Sequence, residues 1–261
     1  MKTIKPLLFA IILFSLVSIS CLVSGEADTA PTAAPVVEQP AQPTATAEVV
    51  VQQPTQEVLP TEEVVTEEII SNEPPAFFRE EFEGDVDNWT YFLTSGDEDK
   101  MDLYTEDGYL VFDLEGEQQY VYVMYDPYIY ENVKLEVSAE NRGMNTNNIS
   151  LICNYSDKYG WYEFSVTNGG MYYFYVYSEL DGGYALLTSG GSTNVETGRH
   201  ENVYTATCEG NKLSLYINGH LENEFTDNKY NLTEGQIGFG VSSFDVLPII
   251  VYVDYVDILE Y

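Results

Sequence analysis

From residue 77 onward, short runs of apolar and aromatic residues alternate with polar ones, and Gly, Asn or Asp interrupts them at intervals of roughly ten residues. Such alternation sends successive side chains to opposite faces of a half-buried strand. No window sustains the 3.6-residue period of an amphipathic helix. The pattern predicts strands at 77–82, 108–114, 119–125, 132–140, 148–155, 160–167, 171–178, 184–188, 202–209, 212–218, 221–226, 236–241 and 249–259. That many strands within residues 75–261 require two antiparallel sheets packed face to face.

Three local signals refine this pattern. Asn218-Gly219 follows Leu213, Leu215 and Ile217, which face one way. Asn-Gly is the preferred pair for a type I′ hairpin turn, whose two central residues both need positive φ. A second hairpin turns at Asn168-Gly169-Gly170. Near the C-terminus, Val251 and Val253 share a face, as do Val256 and Ile258, but the two pairs are out of phase. One extra residue near Asp254, a β-bulge, restores the register.

The N-terminal quarter reads differently. Lys2 and Lys5 precede an apolar run over 7–17 and then Ser-Ile-Ser-Cys at 18–21, the layout of a secretory signal peptide, assigned to 1–26. A membrane-spanning helix needs roughly 20 apolar residues, more than this run supplies. Cys21 after Ser20 resembles a bacterial lipobox, whose cysteine is lipidated, although Ser18 stands where that motif usually has Leu or Val. The alternative is cleavage near Gly25, with Cys21 discarded. Residues 27–74 hold no aromatic residue, and eight of the 11 prolines fall between Pro31 and Pro75. Such a stretch cannot bury enough surface to offset its chain entropy, so it reads as a disordered linker.

Charge narrows the partners. With 43 Asp and Glu against 10 Lys and Arg, the chain carries a formal net charge of −33. That field repels phosphate backbones and anionic headgroups, so nucleic acid is excluded and membrane association is expected only through a lipid anchor. Cys153 lies on an apolar face with Ile149, Leu151 and Tyr155, and Cys208 lies with Tyr204 and Ala206. In an exported protein two interior cysteines form a disulfide; two buried free thiols are the alternative.

Several segments together resemble the concanavalin A-like lectin/glucanase jelly rolls, in particular the laminin-G-like and 3-keto-disaccharide hydrolase-like domains of bacterial lipoproteins. They are Phe78-Arg-Glu-Glu-Phe82 with Trp89, Cys153-Asn-Tyr-Ser-Asp157 with Gly160-Trp-Tyr-Glu-Phe-Ser-Val166, Val203-Tyr-Thr-Ala-Thr-Cys208, Leu213-Ser-Leu-Tyr-Ile-Asn-Gly219, Gly235-Gln-Ile-Gly238 and Val253-Asp254. The resemblance covers about 77–261 and implies a two-sheet antiparallel jelly roll often used for glycan binding. It carries over no catalytic residue.

Candidate chemistry is sparse. Glucanases of that fold bear Glu-x-Asp-x-x-Glu on one strand. Tyr255-Val-Asp-Ile-Leu-Glu260 comes near, but Tyr255 replaces the first Glu, and retaining hydrolysis needs two carboxyls roughly 5 Å apart. Asp85 with Asp87, and Asp97-Glu98-Asp99 with Asp102, are the loop carboxylates that could hold Ca²⁺, an ion seeking six to eight oxygens. Their bland reading is solvated surface. His200 and His220 lack metal-ligand spacing.

Aromatic residues remain. With an even-length turn at 168–170, Tyr162, Phe164 and Val166 share the core face with Tyr173, Tyr175 and Tyr177. The other face then carries Trp161, Glu163 and Ser165 beside Tyr172, Phe174 and Val176. A three-residue turn inverts the assignment. Sugar rings pack their C–H faces on aromatic surfaces while polar neighbours bond their hydroxyls. The expected binding residues are therefore Trp161, Tyr172 and Phe174 as stacking groups and Glu163 as acceptor. The expected protein is extracytoplasmic, lipid-anchored or secreted, with a non-catalytic glycan-binding or adhesion domain at the cell surface. A glycoside hydrolase on the same fold, or a surface protein without a specific ligand, are the alternatives.

Overall fold

A computed structural model describes residues 73–261. The signal peptide, Cys21 and nearly all of the linker lie outside the described residues. Fifteen strands follow in chain order: β1 (Phe78–Glu80), β2 (Trp89–Ser95), β3 (Met101–Glu106), β4 (Tyr109–Leu114), β5 (Tyr120–Tyr130), β6 (Asn132–Asn141), β7 (Asn147–Ser156) and β8 (Gly160–Thr167), then β9 (Met171–Ser178), β10 (Gly183–Gly191), β11 (Glu201–Glu209), β12 (Lys212–Ile217), β13 (His220–Thr226), β14 (Gly235–Ser243) and β15 (Ile249–Leu259). The first sheet runs β13-β12-β11-β6-β15-β4-β3, with β1 paired to β15. The second runs β10-β9-β8-β7-β14-β5-β2. Every pairing is antiparallel.

Between the sheets, Phe112, Leu135, Leu215 and Val251 of the first meet Leu151, Phe164, Phe174 and Phe239 of the second in one apolar core. The expected alternation thus buries one face of each sheet. Cys153 on β7 and Cys208 on β11 form a disulfide that joins the two layers, with Cα atoms 6.6 Å apart. Asn218 and Gly219 both have positive φ, +50° and +78°, as the type I′ turn requires. The register of β15 against β6 shifts between Val253 and Tyr255, which makes Asp254 the extra residue and keeps Val251, Val253, Val256 and Ile258 all in the core.

Two strands escape the hydrophobic pattern, β2 and β3. Each is the last strand of its sheet and leaves much of its length in water. An edge strand needs few apolar residues, so its alternation is faint. Tyr155 is a second departure. Asn154 takes φ +54° and the pairing of β7 slips beyond Cys153, so Tyr155 leaves the core face and turns to the outer face of the second sheet.

Where the domain begins, three tyrosines of β5 hold the incoming chain. The hydroxyls of Tyr128, Tyr125 and Tyr130 donate to the carbonyls of Pro74, Pro75 and Ala76 at 2.7, 2.6 and 2.7 Å.

Candidate functional site

The outer face of the second sheet carries its own apolar cluster. Tyr122, Met124, Ile152 and Trp161 are buried there, with Phe92, Tyr120, Tyr155 and Tyr177 packed against them. Above this layer opens a cavity of about 790 Å³, and ten of its seventeen lining residues are aromatic. A wall of that composition suits a ligand with flat apolar faces.

The turn after β8 decides which aromatics line it. Thr167 and Met171 face each other, the Thr167 hydroxyl bonding both the Met171 N–H (3.0 Å) and carbonyl (3.2 Å). Only Asn168-Gly169-Gly170 lies between, with Gly170 at φ +87°, so the turn has three residues. Trp161 therefore pairs with Tyr177, Glu163 with Tyr175 and Ser165 with Tyr173, whereas Phe164 pairs with Phe174 and Val166 with Tyr172.

This corrects two expected binding residues. Tyr172 (6% exposed) and Phe174 (0%) belong to the core between the sheets, where the Phe174 ring meets Phe164 edge-on at 4.7 Å. Tyr173, Tyr175 and Tyr177 replace them on the open face. Trp161 is on that face as expected, but only 5% of it is exposed. The Tyr177 ring covers it at 4.2 Å and 15°, and Tyr155 lies against it at 5.4 Å. Trp161 therefore supports the surface, and Tyr177 presents it.

Glu163 forms the floor and is 4% exposed. The Tyr122 hydroxyl donates to its two oxygens at 3.2 and 3.1 Å, and Ser150 Oγ donates to one of them at 2.6 Å. Tyr184, 45% exposed at the rim, brings its hydroxyl to 3.3 Å from that of Tyr122. Tyr122 can reach so far because Gly240 stands beside it on β14. A Cβ at Gly240 would come within 2.7 Å of the Tyr122 ring and 2.4 Å of the Val121 carbonyl oxygen.

Burial pushes the Glu163 carboxyl above the usual carboxylate range, and the Ser150 and Tyr122 hydroxyls, with Tyr184 and Trp161 close by, pull it only partly back. The sign for stability follows. The unfolded chain releases this proton near pH 4.3, while the native chain holds it to higher pH. Native stability falls as pH rises from that value to the raised folded one, whereas Glu163→Gln, without a charge to bury, escapes the loss. In urea unfolding the stability of the variant relative to the parent is expected to grow as pH rises from about 4 to 8. A gap that stays constant with pH would contradict a buried, protonated Glu163.

The near-match to a glucanase strand lies elsewhere. Tyr255 and Asp257 are on β15 in the first sheet, where Asp257 accepts from Arg79 Nε and a terminal guanidinium nitrogen at 2.8 and 2.5 Å. The same guanidinium lies 3.9 Å from the Tyr255 ring centre. Within the cavity the carboxylates are Glu163 and Glu179. Glu179 stands just past the end of β9, in the turn that leads to β10.

Among the described residues no group of three or more His, Cys, Asp or Glu is arranged to hold a metal ion. Of the acidic loop, Asp97 caps the short 3₁₀ turn Glu98–Lys100 and Glu98 accepts from the Tyr91 hydroxyl at 2.6 Å.

No family model and no curated protein matches the chain. Solved structures do. A Bacteroides ovatus mixed-linkage-glucan GH16 protein in complex with a G4G4G3G product aligns over 70% of this chain and 99% of its own, at 14% identity and a TM-score of 0.54. The Bacillus licheniformis β-glucanase aligns over 72% and 100%, at 14% identity and a TM-score of 0.53. A Bacillus subtilis protein of unknown function with a galectin-like fold aligns over 72% and 97%, at 11% identity and a TM-score of 0.56. At such identities the likeness shows the fold alone, a two-sheet antiparallel jelly roll.

Proposed function

We propose that this is an exported cell-surface protein, lipid-anchored through Cys21, whose jelly roll is a non-catalytic glycan-binding module. The observation that carries the reading is the aromatic cavity on the outer face of the second sheet, with one buried carboxyl in its floor. Tyr173, Tyr175 and Tyr177 line the cavity along one strand, the first two stacked on each other at 5.7 Å and 17° and the third stacked on Trp161. Aromatic walls with polar groups between them suit the C–H faces and hydroxyls of a sugar.

Screening the purified protein on a glycan array tests the reading. Tyr175→Ala combined with Tyr177→Ala is expected to weaken binding at least about tenfold, the equivalent of roughly 1.4 kcal/mol. Retention that ignores both substitutions would sink the stacking surface. Reducing sugar released from a polysaccharide and abolished by Glu163→Gln would make the protein an enzyme instead. Globomycin-sensitive processing, lost in Cys21→Ala, tests the anchor.

A further inference from the structure

We propose that the glycan taken by this cavity bears a free amine, an amino sugar whose ammonium group sits toward the Glu163 floor. The inference rests on the glycan-binding reading above and adds the charge of the ligand.

The first observation is a buried carboxyl without a counter-ion. Glu163 is surrounded by the hydroxyls of Tyr122, Ser150 and Tyr184, and none of the ion pairs among the described residues includes it. Buried carboxylates are ordinarily paired. The second is the lining itself, which contains no Lys, Arg or His but adds a second carboxylate, Glu179. An anionic sugar would meet two acidic groups and no base in a chain already at −33. The third is the density of ring faces. The negative π-surface of tyrosine attracts an ammonium within about 6 Å of its centroid. Asn148 Oδ1, buried beneath the same cavity, also has no donor. Each feature disfavours an anion, leaves a neutral hydroxyl indifferent and favours a cation.

Proton balance supplies a signature. Burial favours the protonated form of Glu163, and a nearby ammonium favours the ionised one. Docking of the ammonium therefore lowers the affinity of Glu163 for a proton, and any proton the carboxyl holds passes to the buffer.

The experiment is calorimetric titration of the purified protein at pH 6 with three tetramers of the same β-1,4 geometry: glucosamine, N-acetylglucosamine and glucose. About 1 M salt shortens the screening length to about 3 Å and suppresses diffuse attraction of a cation to an acidic surface. The glucosamine tetramer is expected to bind at least about thirtyfold tighter than either neutral one, a difference of roughly 2 kcal/mol. Repeating it in buffers of different ionisation enthalpy should show a proton released on binding. Glu163→Gln should bring the three tetramers within threefold and abolish the proton release. Equal affinity of the parent for all three, or preference for a neutral tetramer, overturns the amine inference and leaves glycan binding standing. If no tetramer binds and the glycan array is also blank, the function itself is overturned. The parent measurements decide the matter even where Glu163→Gln fails to fold.

Discussion

Cys153→Ala together with Cys208→Ala is expected to lower the unfolding free energy by about 4 kcal/mol, the chain-entropy value for a closed loop of 55 residues. The bridge ties β7 of the second sheet to β11 of the first, which are distant in sequence and belong to different layers. Its loss frees the unfolded chain far more than it disturbs the native packing, because Ile149, Leu151, Leu213 and Leu215 remain buried around it. The urea midpoint should fall sharply, and the native circular dichroism should stay that of an all-β protein. A midpoint shift equivalent to less than about 1 kcal/mol would mean that the unfolded chain is already compact across this loop. Reduction of the parent should reproduce the shift.

Gly240→Ala is expected to cost about 3 kcal/mol and to remove ligand binding. The new methyl would collide with the Val121 carbonyl oxygen at 2.4 Å and with the Tyr122 ring at 2.7 Å. A carbonyl engaged in a central sheet cannot retreat cheaply, so strand pairing between β14 and β5 must loosen. Tyr122 would also swing away from Glu163, which breaks the hydrogen bonds that fix the floor. Thermal unfolding and titration with the same glycan check both parts. A variant with parental stability would mean that Gly240 merely occupies its place.

How much of this was legible in the sequence depends on what each feature requires. The Asn218-Gly219 turn, the bulge at Asp254 and the core face of β8 could all be read, because local backbone chemistry or strict alternation decides them. The cavity could be read only in part. Trp161 and Glu163 lie on the predicted face, but the tyrosines opposite depend on whether a turn holds two residues or three. A one-residue change exchanges Tyr172 and Phe174 for Tyr173, Tyr175 and Tyr177. The signal was present: three residues between Thr167 and Met171, ending in a glycine able to adopt positive φ. Tyr122 and Gly240 were beyond reach, since β5 and β14 join this face only through pairings far apart in the chain, whereas Ser150 lies on β7, the hairpin partner of β8. Edge strands β2 and β3 lacked the burial that makes a strand visible as a pattern.

The three tyrosine hydroxyls at the start of the domain have a mechanical consequence. Pro74-Pro75 is a stiff dipeptide, because each ring fixes its own φ. A pull arriving along the backbone from residue 73 meets three successive bonds from β5, at Pro74, Pro75 and Ala76. That fastening stands ahead of the three-residue ladder of β1 and takes the load before it.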